Sequence, residues 1–195
     1  MKHIIGLTGP TGSGKSSFSL LAKTKGIYVI DCDELSRQVT KNGNECLLKL
    51  SQAFGEDILK DGYLDRKLLA SRAFCDQNKK QLLEDIIFPF ILSLVLKEIE
   101  DCQSKTILLD APTLFESSLN ELCGSVVAVL SDREIRKDRI IERDGLTLEQ
   151  AELRLNAGQN DSFYLERADH IIYNNCSKSE FLSKCEEILN ILMEE

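Results

Sequence analysis

Eight residues near the amino end, Gly9-Pro10-Thr11-Gly12-Ser13-Gly14-Lys15-Ser16, constrain this chain more than anything else in it. They fit G-x-x-x-x-G-K-[ST], a loop whose successive backbone N–H groups converge on phosphate oxygens. The glycines permit φ/ψ values that a Cβ would forbid. The flanks agree with the motif. Ile4–Thr8 is a short apolar run that predicts a buried strand, and 16–25 predicts a helix whose positive dipole end faces the same anion. Gly12, Ser13 and Gly14 then cradle the phosphates of a nucleoside triphosphate. Lys15 reaches the β- and γ-phosphates as a catalytic charge, and the Ser16 hydroxyl ligates Mg²⁺.

Composition removes several function classes. Against 32 acidic residues stand 24 basic ones, a net charge of −8, so no overall basic field attracts nucleic acid. Aromatics make up 6% and Trp is absent, which argues against base-stacking platforms. The seven cysteines, Cys32, Cys46, Cys75, Cys102, Cys123, Cys176 and Cys185, are scattered and contain no C-x-x-C pair. That pattern fits reduced thiols in a cytoplasmic protein rather than a disulfide framework or a zinc site. Ile4–Leu7 is too short for a signal peptide, and 86–96, broken by Pro89 and Ser93, falls short of a membrane span. The expectation is a soluble cytoplasmic monomer or weak homo-oligomer with small-molecule substrates, no nucleic-acid partner and no membrane partner.

Short apolar runs alternate with helical patterns over the whole length. Strands are expected at Ile4–Thr8, Tyr28–Ile30, Thr106–Asp110, Val126–Leu130 and His170–Tyr173, and further helices at 33–41, 45–54, 66–76, 78–101, 132–143, 147–157 and 178–193. Such alternation implies an α/β fold, a parallel sheet covered by helices on both faces, with ligands at the carboxyl ends of the strands. A chain of 195 residues fits one such unit. Its expected parts are a nucleotide-binding core at 1–41, 102–131 and 168–195, a strandless helical block at 42–101 suited to a second substrate, and a mobile lid at 132–167.

Three further groups of residues carry chemistry. Asp31 and Asp33 follow the second strand, where one orients Mg²⁺ or its waters and the other accepts a proton from an attacking hydroxyl; alternatively, Asp33 caps the next helix. Asp110 ends an apolar strand in the manner of a Walker-B carboxylate, with Pro112 and Leu114-Phe115-Glu116 shaping the exit loop. Arg136, Arg139 and Arg143 share one helical face, which suits polyphosphate charge or, with acidic residues interleaved, a solvated surface. Arg143 is favoured for function, Arg136 for the surface, and Arg154 is a further lid candidate. Asp65 is a natural cap, and Arg66 beside it can meet an anionic acceptor.

Taken in order, these segments resemble the dephospho-coenzyme A kinases. The likeness lies in Gly9…Ser16, in Val29-Ile30-Asp31-Cys32-Asp33, in Phe54-Gly55 and Asp61-Gly62-Tyr63-Leu64-Asp65-Arg66, and in Asp110-Ala111-Pro112-Thr113-Leu114-Phe115-Glu116. It continues through Arg139 with Arg143-Asp144-Gly145 and ends at Ala168-Asp169 and Asn174-Asn175. The resemblance implies a P-loop kinase with a five-stranded parallel sheet in three α/β/α layers, a helical CoA domain and a lid. ATP is then the co-substrate, Mg²⁺ the metal and dephospho-CoA the acceptor. Asp33 becomes the base, 12–17 including Ser17 holds the ATP phosphates, and Arg139 and Asn174 lie near the nucleotide. Acceptor contacts are expected from Asp33, Arg66, Asp110, Pro112 and Leu114, and metal contacts from Ser16, Asp31 and Asp110. Phe88 departs from the family's usual His, Thr113 replaces an apolar residue, and Gln159 is offset by one from the lid pattern. Another P-loop nucleoside monophosphate or small-metabolite kinase is the alternative. A GTP switch is disfavoured, since no N-K-x-D follows a strand.

Overall fold

The computed structural model describes residues 2–194, so the first and last residues of the expected core ranges lie outside it. Along the chain run β1 (His3–Thr8), α1 (Lys15–Thr24), β2 (Tyr28–Asp31), α2 (Cys32–Val39), α3 (Glu45–Phe54), β3 (Leu59–Lys60), β4 (Tyr63–Leu64), α4 (Arg66–Ala73) and α5 (Gln77–Asp101). There follow β5 (Thr106–Asp110), β6 (Ser125–Leu130), α6 (Arg133–Asp144), α7 (Leu148–Asn156), α8 (Asp161–Leu165), β7 (His170–Tyr173) and α9 (Lys178–Glu194). The chain divides into two compact units, Met1–Ile30 with Gln103–Glu195, and Asp31–Cys102.

In the first unit β1 is the centre of a five-stranded sheet of order β2-β5-β1-β6-β7. Its two neighbours run parallel to it, Ile5 facing Leu108 on one side and Ser125 on the other, and β6 pairs parallel with β7. Ile5, Leu7, Leu108, Val127 and Val129 are fully buried, as strands covered on both faces must be. On one face Phe18 and Ala22 of α1 and Phe181, Cys185 and Leu189 of α9 complete the core. On the other, Ala128 and Leu130 pack under Tyr164 of α8, beside Phe115 and Phe163. The chain leaves β1 for β2 on one side and reaches β6 and β7 on the other. This places the switch point, where ligands of such sheets bind, at the carboxyl end of β1.

The second unit is mainly helical, with Leu47, Leu50, Phe54, Leu69, Ala73, Ile91 and Val95 buried. It is not strandless: β3 and β4 form an antiparallel hairpin through Asp61-Gly62, both at positive φ (52° and 81°). Asp-Gly is the pair that such a two-residue turn demands. Asp76 starts α5 by accepting the Lys79 N–H at 2.9 Å, which ends α4 at Ala73, short of the expected 76. α5 continues through Pro89. In the first unit α8 was not expected, and α1 begins at Lys15.

Three carboxylates of the second unit are held below the ordinary range: Asp57 by its bond from Arg72, Asp65 by Lys60, and Asp76 by the Lys79 N–H. A depressed folded pKa contributes stability above the unfolded value of about 3.9 and loses it as pH falls through the folded value. Thermal melts from pH 5 to pH 3 should therefore show Tm falling below about pH 4, with a shallower fall in Asp65→Asn.

Candidate active site

From Thr8 the chain turns through Gly9 to Gly14 and enters α1, with Gly14 as its N-cap. Gly9 and Gly14 take φ of 136° and 111°. A Cβ on Gly9 would lie 2.2 Å from the Val129 carbonyl oxygen, and one on Gly14 2.2 Å from Asn174 Nδ2. No side chain caps α1 and its first turn contains no acidic residue, unlike α2, α3, α4 and α5, whose caps are Asp or Asn. The Ser13 hydroxyl is buried with no hydrogen-bond partner among the described residues. A helix start without a capping side chain, after a loop that excludes Cβ atoms, fits a phosphate chain.

The loop is fixed from behind. Lys15 Nζ donates to the carbonyls of Gly9 (2.7 Å) and Pro10 (3.2 Å). Asn174, at the end of β7, donates through Nδ2 to the Ser13 carbonyl at 2.7 Å. Arg139 of α6 donates to the carbonyls of Gly12 (3.3 Å), Ser13 (3.4 Å) and Asn174 (3.1 Å). Asp110 pairs in register with Leu7 of β1, and its Oδ2 accepts the Ser19 hydroxyl of α1 at 2.5 Å. The exit loop continues through Pro112, whose carbonyl accepts the Thr8 hydroxyl at 3.3 Å, to the buried Leu114. Ser16 and Ser17 lie in the first turn of α1.

Other expected residues fall differently. Asp31, not Asp33, caps α2, accepting the Glu34 N–H at 3.1 Å; the helix starts one residue before the sequence pattern suggested. Asp33 is exposed in the first turn, and Cys32 between them is buried. Arg66 donates to the Thr40 hydroxyl at 2.7 Å. Arg136 was expected at the surface, yet its side chain is only 8% exposed and faces Asp161 at 3.4 Å. Asp161 is the first residue of the unforeseen α8. Arg143 and Arg154 are both engaged by one carboxylate that sequence reasoning missed, Asp144, at 2.7 Å and 2.6 Å. The Arg143 bond holds that carboxyl below its ordinary range. In the sequence it stood out only as part of the Arg143-Asp144-Gly145 stretch, with no role of its own.

An anion cradle at the switch point of a parallel sheet, with a lysine folded over it and a carboxylate at the neighbouring strand end, marks a P-loop kinase. Comparison with known proteins narrows the class. The profile described as dephospho-CoA kinase matches residues 3–180, and the chain belongs to that family. The dephospho-CoA kinase of Idiomarina loihiensis is 36% identical over 178 residues, 91% of this chain and 88% of that one. A crystal structure from Thermus thermophilus superposes with a TM-score of 0.84 at 28% identity, covering 98% of each chain. The dephospho-CoA kinase of Campylobacter jejuni gives 0.70 at 29%, covering 97% of this chain and 96% of that one. Membership makes the chain a phosphotransferase with ATP as co-substrate, in the three-layer α/β fold that the sequence implied.

Proposed function

We propose that this chain moves the γ-phosphoryl group of ATP to the ribose 3′-hydroxyl of dephospho-CoA, releasing coenzyme A and ADP. Its family membership, joined to a phosphate loop whose helix start is left uncapped, carries the reading. Backbone N–H groups of 12–17 bind the β- and γ-phosphates, and Lys15 exchanges its loop carbonyls for their oxygens. Arg139 and Asn174 hold the loop in shape beside the nucleotide. Asp33 accepts the proton of the 3′-hydroxyl as its oxygen attacks the γ-phosphorus. The bond to the β,γ-bridging oxygen breaks and ADP leaves with that electron pair. Arg66 and the 110–114 loop, with Pro112 and Leu114, receive the acceptor.

Among the described residues no group of three His, Cys, Asp or Glu side chains forms a metal cage. That suits Mg²⁺, which keeps several waters and binds through one or two protein groups plus substrate phosphates. Ser16 and Asp110 would hold it, and when bound it neutralises phosphate charge; Asp31 is engaged as a helix cap. No described helix is long and apolar enough to cross a membrane. We place the enzyme in the cytoplasm, as a monomer or weak homo-oligomer, with no nucleic-acid partner.

Residues 132–167 act as the lid in this reading, and Arg143 leaves Asp144 to meet the transferring phosphoryl group. Arg143→Ala should then lower kcat more than it raises KM for ATP; an unchanged kcat would make it a surface residue. The overall reading is tested by product analysis with ATP, Mg²⁺ and dephospho-CoA, locating the new phosphate by ³¹P NMR. Phosphate at the 3′ position supports it. Failure to turn over dephospho-CoA, with turnover of a nucleoside monophosphate instead, refutes it.

A further inference from the structure

Two groups of opposite charge near the lid, the buried Arg136 and the half-buried Glu116, each have a buried atom without a partner. Arg136 Nε and Glu116 Oε2 are buried and make no hydrogen bond among the described residues. Each side chain is engaged elsewhere by one contact: Arg136 Nη2 with Asp161 Oδ1 at 3.4 Å, the long end of the range, and Glu116 Oε1 with Gln159 Nε2 at 3.2 Å. Gln159 lies in the link between α7 and α8 and Asp161 is the first residue of α8, and together with Arg136 they line a cavity of about 610 Å³. Both charges act on Tyr164, whose hydroxyl pKa is raised chiefly by burial, further raised by Glu116 and opposed by Arg136. Leaving a buried ionic group partly unpaired is costly, and an unpaired donor and an unpaired acceptor of opposite charge around one ring are each other's natural remedy.

Arg136 abuts the phosphate loop, and the loop that carries Glu116 contacts the strand leading into it. The carbonyl of Arg136 lies where a Cβ on Gly12 would approach it at 2.8 Å, so the α6 backbone abuts the loop. Glu116 ends the exit loop of β5, whose Pro112 carbonyl holds Thr8, the residue before Gly9. We infer that Arg136 and Glu116 are positioning residues: when the link and the start of α8 (157–161) move, Arg136 exchanges Asp161 for Glu116 and draws the lid segment onto the exit loop of β5. The cavity gives the link room to move. Asp161, 43% exposed, is the partner more easily released, because water replaces its lost contact. This inference rests on the reading of 132–167 as a lid, so one of its tests needs no turnover.

In steady-state assays of the full chain, Glu116→Gln and Arg136→Gln should each lower kcat about tenfold with KM for ATP within about twofold. The double variant should be no slower than the slower single, and Asp161→Asn, which removes the competing partner, should not lower kcat. Multiplied losses in the double variant, or an Asp161→Asn as slow as Glu116→Gln, overturn the exchange. Should Arg136→Gln fail to fold, Glu116→Gln against Asp161→Asn still decides. Amide hydrogen exchange supplies the readout independent of turnover. A non-hydrolysable ATP analogue should slow exchange across 157–161 in the native chain and in Asp161→Asn, but not in Glu116→Gln. Equal protection in all three refutes the inference even if the kinase reading stands.

Discussion

Replacing Lys15 with alanine should bring phosphoryl transfer to the assay floor, the largest effect expected of any single substitution in this chain. In the structure the ammonium is drawn back over its own loop, 2.7 Å from the Gly9 carbonyl and 3.2 Å from that of Pro10. It is therefore positioned by the loop it serves, within a side chain's reach of the phosphates that the loop is shaped to hold. Charge building on the transferring group is stabilised by groups already in place, and removal of even one such donor typically costs 10²–10³ in rate. A full positive charge in a cradle with no other lysine should cost more. Lys15→Arg is not a conservative rescue, since the planar fork does not fit a point-charge position. The measurement is a coupled ADP-release assay, with calorimetry of ATP binding beside it. Native-like turnover in Lys15→Ala would refute the role.

The second large effect is expected of Asp33→Asn. The cap of α2 is Asp31, so the alternative reading of Asp33 as that cap does not hold. The amide keeps the shape of the side chain and loses the ability to take a proton, which general-base substitutions usually register as roughly 10²–10⁴ in kcat. ATP affinity should stay within about twofold, because no phosphate contact is removed. If ATP binding collapses while the fold persists, Asp33 is a metal or nucleotide contact instead. If kcat is unchanged, the proton leaves by another route.

How far the sequence reaches depends on how local each cause is. The strands, the phosphate loop and the long helices follow from apolar runs, glycine spacing and periodicity within a dozen residues, and all five core strands stand within one residue of their expected ends. The misreadings are matters of context. Periodicity placed Arg136, Arg139 and Arg143 on one face but said nothing of what packs against it; α8, only five residues long, is too short to announce itself, and its Asp161 faces the buried Arg136. The β3–β4 hairpin was signalled by Asp61-Gly62, yet two-residue strands leave no alternation to read. Arg139 binds carbonyls 126 and 127 residues earlier in the chain, a contact no window along the sequence could disclose. Asp144 was adjacent to a named arginine, but its bridging of Arg143 and Arg154 depends on how α6 and α7 pack.

The amino-terminal loop takes its tie from Asn174, 161 residues further on. During synthesis, at about 5–20 residues per second, the first strand and helix leave the ribosome many seconds before that amide does. A nascent chain thus carries the whole motif while lacking the brace that keeps it open. Nucleotide affinity should arise only once Asn174 has been made and has docked, sparing half-made chains from sequestering ATP.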